Sequence, residues 1–210
     1  MKHYILFLLL ASTFWCCSND EDVVPSNNDR NMFDMPDFSS EEEMKVRRDF
    51  YDATSCYLIF NDSLYYRNIT TPSGSDPECV ILDLKYQVKG TSEDALLRYT
   101  YLKDMKDKEL AAKFAKEKIL PRLAPAFYPY TFFMVDQFYI SKASAWSSGY
   151  DPEVEQSAYA GYNASLVAYK HFYDMDEAAQ YAYSRSVIAI LMTKNYTQVK
   201  DSEYNDFYQY

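Results

Sequence analysis

A run of apolar residues at the start constrains this chain more than any other stretch. Met1, Lys2 and His3 precede residues 4–15, which are mostly apolar. A short basic start followed by about a dozen apolar residues has the form of an export signal. A bilayer span would need about 20. Cys16 and Cys17 follow at once, then Ser18, Asn19, Asp20, Glu21 and Asp22. A thiol at the foot of an apolar run, with no folded sequence expected nearby, is placed to accept lipid after cleavage. Cys17 is the better acceptor, because Cys16 leaves a small residue at the cut where Trp15 would leave a bulky one. The alternative is an ordinary secretory signal followed by free cysteines. The expected organisation is a signal peptide over residues 1–16, a flexible tether over 17–39 and one α+β domain over 40–210.

The full chain carries 31 acidic and 21 basic residues, a net charge of −10, and losing Lys2 with the leader deepens it by one. No excess of cations is present to displace counterions from a nucleic acid or an anionic bilayer. Nucleic acid is therefore excluded as a partner, and contact with the bilayer is expected through the lipidated cysteine alone. With Cys17 lipidated, Cys56 and Cys79 remain as a candidate disulfide in an oxidising compartment, or as two buried free thiols. Both sit in apolar runs, which adjacent strands would bring together. The aromatic content is high, with 22 Tyr and 13 Phe. Tyrosine buries its ring while its hydroxyl stays wet, so the first reading is a partly solvated core and surface. The second is carbohydrate stacking, for which Trp146 beside Tyr150 is the best local candidate; packing of their loop is the plainer role.

Along the chain, Ser39 or Ser40 caps a helix opened by Glu41, Glu42 and Glu43, acids that suit the positive end of the dipole. Residues 54–60 form a strand, Asn61 and Asp62 a turn, and 64–66 a short return strand. The two prolines and one glycine of residues 70–78 predict a loop. Residues 79–88 read as a strand. Ser92, Glu93 and Asp94 open a helix with Leu96, Leu97, Tyr99, Thr100 and Leu102 as its apolar side. A second amphipathic helix spans residues 106–120. Pro121, Pro125 and Pro129 lead to a central strand over 130–136. Residues 159–169 predict another strand, and a largely buried helix starts at Asp174. The simplest architecture is two layers, helices against a mixed sheet.

Two resemblances follow from these residues. The leader with Cys17 resembles a bacterial lipoprotein signal, and the acidic run after it resembles the tag that sends Bacteroidetes lipoproteins to the outer face of the outer membrane. The acidic linker and helix, the run from Cys56 to Phe60, Asp62, Tyr65 and Tyr66, the helical pair after Thr91, and the runs 119–121 and 133–136 resemble the zinc-binding metallopeptidase lipoproteins of Bacteroidetes. The resemblance covers roughly residues 40–200 and implies a zincin-like amino-terminal part. It also implies His-Glu-x-x-His on a helix after the last strand. The matching positions hold Thr193, Lys194 and Thr197. A catalytic zinc needs three protein ligands and an open place for water; threonine is a poor ligand and lysine repels the cation. Beyond the leader His171 is the lone histidine.

No metal or cofactor is expected, and no catalytic residue is assigned. The first expectation is a surface-anchored lipoprotein domain that resembles a metallopeptidase without its activity, located at the outer membrane or cell surface. The alternatives are a glycan- or peptide-binding module, and a truncated fragment of a longer protein. The aromatic ending at Tyr210 favours the last of these.

Overall fold

The computed structural model describes residues 31, 33, 39–71, 74–86, 95–144 and 148–198, with backbone alone for 65–71, 74–79 and 194–198. In chain order come helix α1 (Glu41–Thr54), β1 (Tyr57–Ile59), β2 (Ser63–Thr71), β3 (Gly74–Ile81) and β4 (Ala95–Thr100). Helix α2 (Met105–Phe114) runs on through a wider π-helical turn, Ala115–Ile119. Then follow β5 (Thr131–Val135), β6 (Gln137–Lys142), β7 (Val154–Glu155), β8 (Ala158–Ala160), β9 (Ser165–Ala168) and helix α3 (Glu177–Gln198).

Strand β5 sets the layering because neither of its faces is wet. All five of its residues, TFFMV, are buried, and a strand covered on both sides reads as a continuous apolar run. It lies within a four-stranded sheet of order β1-β5-β9-β8. Strands β1, β5 and β9 are parallel, and β8 returns antiparallel to β9. On one face, Leu58, Phe132, Met134 and Val167 pack with Phe50 of α1, Phe114 of α2 and Val187 of α3. On the other, Ile59, Phe133, Val135 and Leu166 pack with Leu64, Leu82, Leu84, Phe138 and Phe33. The second face is thus covered by chain from the β2–β3 and β4-β6-β7 sheets. The α+β class holds, with three layers in place of the expected two.

The ends of α1 follow their sequence signals. Ser40 Oγ accepts the Glu43 N–H at 3.2 Å, a cap worth about 1 kcal/mol. Ser55 closes the helix with a left-handed backbone and gives its N–H to the Tyr51 carbonyl. Glu43 is buried and ion-paired with Lys108 of α2, which clamps the two helices. Arg47 donates to the Phe33 carbonyl at 3.2 Å, so Phe33, inside the stretch read as tether, docks into the core.

Four expectations fail. Residues 95–100 are strand β4, not helix, with Ala95, Leu97 and Tyr99 turned inward and Leu96, Arg98 and Thr100 outward. Residues 74–78 are part of β3 rather than loop, paired with β2 in a hairpin. Strand β3 ends at Ile81, and Asp83 turns the chain by accepting the Lys85 N–H at 2.9 Å. Helix α3 is amphipathic instead of largely buried, with Ser184, Val187 and Leu191 as its inner stripe. It is held down by Arg122 donating to Ser184 Oγ (3.0 Å) and by the Tyr183 hydroxyl donating to the Ala168 carbonyl (2.7 Å).

Candidate functional site

The parallel pairing of β1, β5 and β9 brings their starting residues to one edge of the sheet. Tyr57 opens β1, Tyr130 directly precedes β5, and Tyr162 lies in the turn between β8 and β9. Between the last two is a cleft of about 210 Å³, lined by Phe127, Tyr128, Tyr130, Gly161, Tyr162 and Ser165, with Leu191 of α3. Drug-sized ligands occupy about 300–1,000 Å³, so this cleft suits one ring-sized group. Apart from tyrosine, none of its lining residues ionises. Tyr130 and Tyr162 are 53% and 49% exposed.

Local structure holds these rings in place. The Tyr130 carbonyl accepts the Tyr57 N–H at 3.0 Å, and its ring packs on Phe33 (5.6 Å) and Tyr57 (5.3 Å between centroids). A turn at Pro125–Phe127, with the Phe127 N–H on the Ala124 carbonyl at 2.8 Å, sets the opposite chain. Gly161 is required by close approach. A Cβ there would meet the Ala164 carbonyl oxygen and, at 2.8 Å, that of Leu84. Its absence lets residues 82–86 cross the β8–β9 turn, which sets Tyr86 against Tyr162 at 6.0 Å.

The carboxyl ends of the same strands are chemically different. Open α/β sheets generally take ligands at that end, but here the ionisable groups engage one another. The Tyr99 hydroxyl donates to Asp62 Oδ2, just after β1, at 2.7 Å. His171, after β9, lies 3.7 Å from Asp136, after β5, and 3.9 Å from Asp107 of α2. Lys170 and His171 adopt positive φ, of 50° and 47°. The Lys170 N–H bonds the Asp136 carbonyl, and its side chain pairs with Glu155 at 2.9 Å. Among the described residues no three His, Cys, Asp or Glu side chains gather as a metal site.

Burial and the adjacent Asp62 carboxylate push the Tyr101 phenol up to about 12. Burial and then Glu117 raise Tyr173 to about 12. Folding therefore holds these protons more tightly than the unfolded chain, which releases them near pH 10. The contribution to stability is fully present below about pH 10 and is lost as the pH rises through 12. Urea unfolding between pH 9 and 12 should show a falling midpoint, with tyrosinate absorbance lagging that of the unfolded chain.

The residues singled out in the sequence are scattered. Cys17 and Trp146 lie outside the described residues. Tyr150 is exposed and bridges Ala143. Cys56 is a buried free thiol just before β1. Cys79 is in β3, and β1 and β3 are not neighbouring strands, so no adjacent pair brings the two cysteines together. Thr193 is exposed on α3, where its hydroxyl donates to the Ala189 carbonyl at 2.7 Å. Lys194 and Thr197 follow on the same helix, their side chains outside the described part. Asp176, in place of Asp174, caps α3 by accepting the Ala179 N–H at 2.8 Å.

Sequence reasoning did not single out the cleft, because Tyr130 and Tyr162 meet only through sheet pairing. The local signal was Gly161 between two tyrosines in a chain with four glycines. No family model, curated protein or solved structure matches the chain.

Proposed function

We propose that this chain is a lipid-anchored domain of the cell surface that binds a neutral glycan and does not hydrolyse peptides. The observation that carries the reading is the uncharged, tyrosine-walled cleft at the amino ends of β5 and β9. A neutral sugar offers C–H faces to aromatic rings and hydroxyls to phenols, and it enters without desolvating an unpaired charge. A polyanionic glycan would instead approach a chain of net charge −10 with no cation in the cleft.

A zincin-like build is part of the proposal. Helix α3 follows β9, the last strand among the described residues, where the resemblance puts the metal-bearing helix. The hydroxyl of Thr193, at the first histidine position, is exposed and turned back onto its own helix.

A glycan array probed with the purified full chain tests the binding reading. Neutral glycans should be retained and sulfated or uronate-rich ones passed over; retention of the charged set alone would refute it. The anchor is tested separately. Cys17→Ser should release the protein from the membrane fraction and abolish fatty-acid labelling, whereas continued labelling would assign the lipid elsewhere.

A further inference from the structure

The cleft is too small for more than about one ring, yet aromatic surface continues beyond it. From Tyr130 the ring contacts pass to Tyr57 at 5.3 Å and on to Tyr51, stacked at 4.6 Å with an interplanar angle of 30°. From Tyr162 they pass to Tyr86 at 6.0 Å. Tyr51 and Tyr86 end the two runs and are 40% and 47% exposed. Both run ends are fixed, Tyr51 by helix α1 and Tyr86 by the Asp83 turn crossing Gly161. At the rim the Tyr57 N–H serves the Tyr130 carbonyl and the Tyr128 N–H the Pro125 carbonyl.

We infer that the site takes a linear neutral oligosaccharide across at least three consecutive sugar units. The central unit sits in the cleft, and its neighbours lie on the exposed ring surface of Tyr51, backed by Tyr57, and on that of Tyr86. This rests on the glycan reading above and deepens it. Stacking on aromatic faces tolerates variation in the ring stacked, as it does for bases on aromatic platforms, so chain length matters more here than the identity of each flanking sugar. A single compact sugar would leave both runs unused. A proline-rich peptide, which also lies in aromatic grooves, is the competing occupant.

Calorimetric titration of the full chain with cello-, manno- and malto-oligomers of one to six units, and with decaproline, tests this. At least one sugar series should gain affinity about ten-fold or more from two units to four, then level off. Tyr51→Ala and Tyr86→Ala should each remove most of that gain, bringing the hexamer close to the disaccharide. Tyr51→Phe and Tyr86→Phe should restore it, since the ring is kept. Sugar binding that does not change with length would overturn the extended site while leaving the glycan reading in place. Binding of decaproline with no sugar bound, or no binding at all, would overturn both.

Discussion

Phe114→Ala should destabilise the domain by about 3–5 kcal/mol, the usual cost of removing a fully buried phenylalanine. Phe114 has no solvent exposure, stacks on Phe172 at 4.2 Å and lies 6.1 Å from the Tyr183 ring. It is therefore where α2, the turn after β9 and α3 meet. The site cannot collapse around an alanine, because Phe172 is held from both sides: its N–H is bonded to the Tyr169 carbonyl and its carbonyl receives the Met175 N–H. Domains hold only about 5–15 kcal/mol in total, so the loss should be visible as a large drop in the urea midpoint. A change below about 1 kcal/mol would mean that α3 does not pack on α2 as described.

Gly161→Ala carries the second large effect, of about 1–3 kcal/mol, by overpacking rather than by a cavity. The added methyl meets two carbonyl oxygens, those of Ala164 and Leu84, and both belong to backbone instead of to a side chain that can rotate away. Relief requires the β8–β9 turn to open at Ala164 and residues 82–86 to lift from it. Tyr86 would then leave Tyr162, so ligand affinity should fall together with stability. Thermal unfolding and calorimetric titration of the one variant measure both, and wild-type values in each would contradict the packing of this turn.

The parts of the fold legible in the sequence are those set by local chemistry. Ser40 with three following glutamates announces α1, and the TFFMV run announces a strand covered on both faces. Strand β4 was concealed because Leu96, on its outer face, is 50% exposed. That one leucine fills in the alternation, so Leu96, Leu97 and Tyr99 pass for a helical stripe, and Ser92-Glu93-Asp94 imitates a cap. Helix α3 looked buried from its aliphatic content, yet only one stripe of it faces the core. The cleft was illegible for a different reason. Tyr130 and Tyr162 are joined by a parallel register that no spacing in the chain encodes, and Tyr86 reaches them only through the absent Cβ of Gly161. The threonines at 193 and 197 were conspicuous because of a resemblance, whereas the tyrosines of the cleft belonged to a composition too rich in tyrosine to single them out.

Titration of the full chain with neutral oligosaccharide, beside Tyr130→Ala and Tyr162→Ala, bears most directly on the assignment of the cleft. Stacking platforms are worth about 1–3 kcal/mol each where bases lie on aromatic rings, so each variant should bind roughly ten-fold more weakly or worse while keeping its far-ultraviolet circular dichroism. Saturable binding by the wild type with that loss in both variants is the expected result. Undiminished binding by both folded variants would contradict it.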